Sequence, residues 1–99
     1  MIEKVYNYTK EATDLFEKII EREDMRLNHV IIQPDKYFPK HPTDAEVCII
    51  IIKGHLDITL ANQEKMTYNS GQVVEVPKGI PSILGNGSQE PVELFVIKR

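Results

Sequence analysis

The sequence lacks the features that mark several classes of protein. Its single cysteine, Cys48, cannot form a disulfide within the chain, which excludes an internal disulfide framework. No run of about 18 or more apolar residues occurs, so no segment has the composition of a membrane-spanning helix. The net charge is −3 and no basic cluster is present, so we expect neither a nucleic-acid partner nor a membrane-surface partner.

Signals of targeting and of subdivision are also missing. The chain does not start with a basic stretch followed by an apolar one, and we therefore predict a cytoplasmic location. Its 99 residues, 41% of them hydrophobic, are enough for one domain around one core. No internal repeat, low-complexity tract or interdomain linker divides them.

The first quarter of the chain has a helical pattern. Between residues 9 and 22 the apolar residues recur at spacings of three and four, which places them on one stripe of a helix. The residues of this stripe are Ala12, Leu15, Phe16, Ile19 and Ile20. Thr9 suits the N-cap. We predict one N-terminal amphipathic helix, in a segment of residues 1–24 that packs on a barrel of residues 25–99.

The remainder of the chain has the pattern of short β-strands. The predicted strands are Met25–Ile32, Val47–Ile52, His55–Leu60, Glu64–Tyr68, Val73–Val76, Ile83–Leu84 and Val92–Ile97. Turn signals separate them at intervals of roughly 8–12 residues, which is typical of a sandwich or barrel. The sequence therefore predicts an all-β domain.

The strand Val47–Ile52 is apolar on both faces, so both faces should be covered. The residues expected to face the barrel interior are Val47, Ile49 and Ile51. Their neighbours Cys48, Ile50 and Ile52 then form an outer face that must meet the predicted helix or a second subunit. We favour a homodimer.

The stretch from Gly71 to Asn86 resembles the second signature motif of the cupin family. Gly71, Pro77, Gly79 and Asn86 match scaffold positions of that motif, whereas Ser82 replaces its metal-binding histidine. The stretch from Pro39 to Gly54 is similar to the first motif, and Gly54 matches its glycine. The resemblance implies a double-stranded β-helix, the jelly-roll barrel of cupins.

The same resemblance implies a degenerate metal site. His41 matches the first histidine of the family, but Thr43 replaces the second histidine and Val47 the glutamate. A catalytic transition metal usually needs about three protein ligands with imidazole or carboxylate character. We therefore expect no complete metal site, and a divalent metal is disfavoured as a cofactor, with His41 as the one candidate ligand.

Other side chains remain as alternative ligands. A β-bulge near Glu46 would turn its carboxylate inward from the position next to Val47. Asp44, His29 and Glu75 are further candidates that no spacing requires.

We predict that the barrel acts as a cup for a small organic molecule. The candidate ligand-binding residues are His41, Thr43, Val47, Ile49 and Ser82. Among them His41 is a polar anchor, and burial beside aliphatic residues would favour its neutral form. The simpler interpretation is that His41 is a loop histidine with a single hydrogen bond.

Two other functions remain open. The cupin resemblance implies an enzyme alternative, either a metal-free isomerase or epimerase, or a dioxygenase-like activity with a weakly held metal at His41. The metal-free route needs His41 as base and a tyrosine as acid, and the candidates are Tyr37 and Tyr68. The apolar outer face would also suit a structural subunit.

Overall fold

The computed structural model describes residues 2–10 and 13–99, which form ten β-strands and no helix. The first five strands are β1 Leu15–Glu21, β2 Arg26–Ile32, β3 Lys36–Tyr37, β4 His41–Pro42 and β5 Val47–Lys53. The other five are β6 His55–Leu60, β7 Met66–Asn69, β8 Val73–Val76, β9 Pro81–Asn86 and β10 Val92–Lys98. Within the described ranges, no helix has the length and apolarity that a membrane crossing requires.

The strands form two antiparallel sheets around one core. The first sheet has the order β1-β2-β10-β5-β8, and the second has the order β3-β9-β6-β7, with β4 also paired to β9. Both sheets contribute to one cluster of buried aliphatic side chains, among them Val30, Ile49 and Leu94 from the first and Leu56 and Ile58 from the second. This is the all-β jelly-roll barrel that the sequence predicts.

The strand β5 shows how the sequence produces the barrel wall. Val47, Ile49 and Ile51 are buried in the core, as the alternation of a β-strand requires. On the opposite face Ile50 is half-buried and Ile52 is 44% exposed. The inward face therefore builds the core, and the outward face is only partly covered.

The predicted N-terminal helix is wrong, because residues 15–21 form the edge strand β1. This strand pairs with β2, and a β-bulge shifts the register between Lys18 and Ile20. Before the bulge Phe16 points into the barrel and Leu15 points out; after it, Ile20 points out opposite Leu27. A bulge inserts one extra residue into a strand, whose side chains otherwise alternate with a period of two. Because β1 also has apolar residues on both faces, their spacing in the sequence matched that of a helix. Ala12 lies outside the described residues.

Tyr8 and Thr9 attach the N-terminal segment, residues 2–10, to the outer face of the first sheet. The backbone amide of Thr9 donates to Glu17 Oε1 over 3.0 Å, and its hydroxyl donates to Glu17 Oε2 over 2.5 Å. The ring of Tyr8 packs edge-on against His29 and Phe95, at centroid distances of 5.2 and 5.1 Å. The N-terminal segment thus packs on the barrel without helical structure.

Two glycines permit the turns that shape the site. Gly54, between β5 and β6, has a φ of 86°, and a Cβ there would lie 2.6 Å from the carbonyl oxygen of Pro91. Gly79 has a φ of 87° and its amide donates to the carbonyl of Thr43 over 2.9 Å. Only glycine adopts such angles without strain, so Gly79 can join the turn before β9 to the segment after β4.

Candidate ligand-binding cavity

A cavity of about 80 Å³ lies between the two sheets. Its apolar wall consists of aliphatic side chains from both sheets and two phenylalanines: Val30, Val47, Ile49, Val76, Leu84, Val96, Phe16 and Phe38. A water molecule needs roughly 10–15 Å³ of such space, so the cavity has room for roughly five to eight water-sized atoms. It is therefore an apolar chamber suited to a small guest.

The second sheet places two predicted site residues side by side at this cavity. His41 in β4 lies opposite Ser82 in β9, and both line the chamber. Ser82 is 7% exposed, and its side chain makes no hydrogen bond to any other described residue. Its hydroxyl therefore has no protein partner in the described part of the chain, and it keeps some access to solvent, because no fully buried side-chain polar atom there lacks a partner.

His41 is exposed, so the expectation that burial would favour its neutral form is wrong. Its Nδ1 lies 3.1 Å from the carbonyl oxygen of Pro39, in agreement with the simpler interpretation of a histidine with a single hydrogen bond. Because a carbonyl only accepts, Nδ1 donates in this contact, and Nε2 of a neutral ring is then an acceptor at the edge of the chamber.

The first sheet contributes a polar residue that the sequence analysis missed. Asn28 in β2 lines the cavity, is 6% exposed, and lies opposite Val96 of β10. Within residues 2–10 and 13–99 its amide has no hydrogen-bond partner. The sequence could have indicated this residue, because Asn28 lies in a predicted strand two residues before Val30. Residues two apart in a strand share a face, so Asn28 faces inward with Val30. Asn28 and Ser82 therefore approach the chamber from different sheets.

The remaining predicted residues also line the cavity, with different capacities. Val47 and Ile49 supply apolar wall. The Thr43 hydroxyl donates to the carbonyl of Pro77 over 2.7 Å and accepts from the amide of Ile80 over 3.1 Å. The Thr43 hydroxyl is therefore engaged by the backbone, and its contribution to the site is mainly structural.

Two charged residues line the edge of the chamber, and they pair with each other. Lys98 Nζ lies 3.6 Å from Asp44 Oδ1, and Arg26 Nη1 lies 2.9 Å from Asp44 Oδ2. The hydrogen bond from Arg26 is the largest cause that holds the pKa of Asp44 below its ordinary value. The two cations share one carboxylate, so the cluster keeps one net positive charge at the edge of the chamber.

The donor set does not fit a transition metal. The four positions that hold ligands in cupins carry His41, Thr43, Val47 and Ser82, of which only the imidazole is a strong ligand. No group of three His, Cys, Asp or Glu side chains within the described ranges is arranged to hold a metal ion.

The alternative ligands also lie in unsuitable places. Glu46 is exposed, does not line the cavity, and pairs through its backbone with Arg99. Glu75 lies opposite Cys48 on the outer face of the first sheet. His29 faces the same side and does not line the cavity, so only Asp44 joins His41 at the chamber.

Neither candidate catalytic tyrosine shares the cavity with His41. The Tyr37 hydroxyl donates to Asp57 Oδ2 over 3.0 Å, and Tyr68 lies opposite Leu56 in β7 and packs against the core. Neither residue lines the chamber. The structure therefore does not assemble the acid–base pair that the metal-free enzyme alternative requires.

Tyr37 belongs instead to a polar cluster around Asp57. The Asp57 carboxylate also accepts from the Thr67 hydroxyl over 2.7 Å and from the Gly87 amide over 2.9 Å. Burial raises the pKa of Asp57, but these hydrogen bonds and the charge of Lys65 outweigh it and hold the pKa below its ordinary value. The cluster ties β3, β6 and β7 to the turn after β9.

A second polar cluster lies beneath the N-terminal segment. His29 is fully buried, with Nδ1 3.0 Å from Glu17 Oε1 and Nε2 2.6 Å from Glu93 Oε2. A neutral imidazole donates from one nitrogen only, so one of the two contacts needs an additional proton on the ring or on a carboxyl group. The hydrogen bonds from Thr9, followed by that from His29, lower the pKa of Glu17 to about 2.

Comparisons with known proteins agree with this architecture. A sequence model of the cupin domain matches residues 28–98, which include both motif stretches. An uncharacterized protein of Methanocaldococcus jannaschii is 36% identical over 99 residues, covering 99% of this chain and 85% of that protein. A crystal structure of an RmlC-like cupin family protein with a double-stranded β-helix fold, from the same organism, superposes with a TM-score of 0.95. That alignment has 35% identity and covers 99% of this chain and 91% of the other.

A more distant relative is a vicilin-like seed storage protein of Arabidopsis thaliana. It is 31% identical over 85 residues, which cover 83% of this chain but 17% of that protein. The likeness therefore concerns one barrel within a much longer chain.

Proposed function

This chain belongs to the cupin family, and from that premise we propose that it binds a small organic molecule in its barrel cavity, without a full metal site. The observation that supports this most is the pair Asn28 and Ser82, whose buried side chains line the cavity without hydrogen-bond partners among the described residues. Ligand sites are usually apolar chambers with a few placed polar groups.

The energetics favour a bound guest. The unpaired polar atoms of Asn28 and Ser82 keep some access to solvent, so a ligand can replace water as their hydrogen-bond partner. The same ligand would bury its own apolar surface against the apolar wall. The ligand should therefore stabilise the folded protein, and the stabilisation should grow with the logarithm of ligand concentration above the Kd.

The first test is the metal content of untagged protein, measured by mass spectrometry on the wild type, His41→Ala and His55→Ala. His55 is an exposed histidine that does not line the chamber, so its variant is the matched control. We expect negligible metal in all three. Near-stoichiometric metal that is lost only in His41→Ala would overturn the metal-free proposal and bring the enzyme alternatives forward.

The second test is a thermal-shift screen of small organic compounds. A hit should raise the Tm of the wild type and of His55→Ala, and should lose its effect in Ser82→Ala. A hit that is unaffected by Ser82→Ala and by Asn28→Leu would bind elsewhere and would contradict the proposed site.

We also propose a homodimer that forms through the outer face of the first sheet. Val73 lies opposite Ile50 on this face and is 59% exposed, and Ile52 is 44% exposed. An apolar groove runs beside them, lined by Leu27, Ile50, Phe95 and Ile97 and bordered by Tyr6 and Tyr8. A second copy would cover this surface. The cytoplasmic location stays a prediction.

A further inference from the structure

We infer that the guest of this cavity is an uncharged molecule with a short aliphatic body and a single hydroxyl or carboxamide head group. This inference rests on the proposed binding function and names the chemical class of the ligand. It follows from the size of the chamber, the types of polar atoms that remain unpaired, and the distribution of charge.

The size of the chamber limits the body of the ligand. With about 80 Å³, it accepts roughly five to eight non-hydrogen atoms at the 10–15 Å³ needed for one water. The apolar wall consists of Val, Ile and Leu side chains together with Phe16 and Phe38, and it favours a branched or cyclic apolar body. A sugar or a nucleotide is too large for this space.

The unpaired polar atoms define the head group. The Asn28 amide offers both donors and an acceptor, and the Ser82 hydroxyl offers both roles. His41 lies exposed at the edge of the chamber, and when its ring is neutral and Nδ1 donates to Pro39, Nε2 accepts. A head group that both donates and accepts satisfies all three, and hydroxyl and carboxamide groups are the simplest with that property. A carboxylate only accepts and leaves Nε2 without a donor.

The charges around the chamber also favour an uncharged guest. The lining residues with a formal charge are Asp44 and Lys98, which pair with each other, and Arg26 supplies the second partner of Asp44. The Asp44 carboxylate is held by both cations, and these charges lie at the edge of the chamber and not in its aliphatic interior. A charged group transferred into an apolar interior without a partner is strongly disfavoured.

The experiment compares three probes of matched shape: 2-methylpropanamide, 2-methylpropan-1-ol and 2-methylpropanoate. Each is titrated at neutral pH into the ¹⁵N- and methyl-labelled full chain, and binding is followed by NMR shifts. We expect saturable shifts of the Val30, Val47 and Ile49 methyl groups with the amide and the alcohol. The carboxylate should bind at least about tenfold more weakly, since a site that hydrogen-bonds OH or NH rejects an analogue that leaves its groups unpaired.

Variants test the assigned anchors. Asn28→Leu and Ser82→Ala should each weaken the amide at least about tenfold, because each removes a hydrogen bond from a buried site. Asn62→Leu and Ser70→Ala change exposed residues of the same types and should leave binding unchanged. Anchor variants that bind the amide as tightly as the wild type would refute the assignment.

The outcomes separate the two proposals. If the carboxylate binds as tightly as the amide, the ligand class is wrong but the cavity remains a binding site. If none of the probes binds while dissolved xenon shifts the cavity methyl groups, the chamber is accessible and the polar head group is wrong. If xenon also has no effect, there is no accessible chamber and the proposed function fails as well.

Discussion

At the scale of the residue, Asn86 connects three segments of the barrel through one side chain. It is fully buried, and its Nδ2 donates to the carbonyls of Ile32 and Glu90 over 2.9 and 2.7 Å. Its Oδ1 accepts from the amide and the hydroxyl of Ser88 over 2.9 and 2.6 Å. The motif position that Asn86 matches therefore has a structural role, which is to fix the end of β2 against the turn before β10.

Asn86→Ala should destabilise the protein strongly. The change leaves the Ile32 carbonyl and the Ser88 amide without their partner, and orphaned buried groups cost roughly 1–3 kcal/mol each. We expect the free energy of unfolding to fall by about 2–4 kcal/mol, measured by urea denaturation.

Asn62→Ala is the control for this experiment, because Asn62 is exposed and makes no side-chain hydrogen bond within the described part of the chain. Its unfolding midpoint should match that of the wild type. Equal midpoints for Asn86→Ala and Asn62→Ala would show that the Asn86 network contributes little.

Motif spacing predicted much of the residue-scale geometry of the site. His41, Thr43, Val47, Ile49 and Ser82 all line one chamber. Their role in binding stays a prediction. Asn28 was missed because it precedes both motifs and has no fixed spacing to them. It comes near Ser82 only in the folded barrel, where the two sheets face each other. Tyr37 was a candidate because of its chemistry, but its orientation follows from the hydrogen bond to Asp57.

At the scale of the element, the N-terminal segment is held by one carboxylate. Glu17 accepts two hydrogen bonds from Thr9 and contacts His29, which also contacts Glu93 and packs against Tyr8. The low pKa of Glu17, about 2, means that the folded state prefers its ionised form. The attachment of residues 2–10 to β1 is therefore linked to pH.

Glu17→Gln should remove the acid sensitivity of this attachment. A carboxyl group whose folded pKa is depressed contributes stability that is fully present above its ordinary pKa of 4.5. That stability is lost as the pH falls through the folded value of about 2. The urea midpoint of the wild type should exceed that of Glu17→Gln at pH 6, and the difference should shrink steadily below pH 4.5.

Two further observations make this test specific. Glu64→Gln changes an exposed glutamate and should follow the wild-type profile at every pH. Amide hydrogen exchange of residues 6–10 should be faster in Glu17→Gln than in the wild type at neutral pH. A difference in midpoint that is as large at pH 2 as at pH 6 would contradict the linkage.

The strand β1 shows where pattern reasoning fails for an element. The apolar residues Leu15, Phe16, Ile19 and Ile20 fit a helix by spacing alone, but the bulge between Lys18 and Ile20 produces the same spacing on a strand that is apolar on both faces. Sequence periodicity cannot distinguish these cases, because the choice depends on pairing with β2. The other strands that the sequence predicted agree with the structure within a few residues, whereas β3 and β4 fall in a stretch where no strand was predicted.

At the scale of the whole molecule, the barrel was predictable from two patterns. Apolar and polar residues alternate along the strands, and turn residues recur at regular intervals. The two-sheet topology required the motif resemblance, since the order β1-β2-β10-β5-β8 joins strands that are distant in sequence. The burial of β5 on its inner face and the partial exposure of its outer face follow the predicted alternation. In the proposed homodimer, a second copy of the chain covers that outer face.

The proposed homodimer predicts a particle of about 23 kDa, twice the chain mass of 11.4 kDa, by light scattering at micromolar concentration. A stable interface buries roughly 1,200–2,000 Å² in total, and an apolar sheet face is a suitable surface. Val73→Lys places a charge on the β8 side of the proposed contact, next to Ile50, and should give the monomer mass. Met66→Lys changes an exposed apolar residue of β7, in the second sheet, and should remain dimeric. A monomeric wild type would refute the proposed dimer. Dissociation by Met66→Lys and not by Val73→Lys would show that the interface lies on the second sheet.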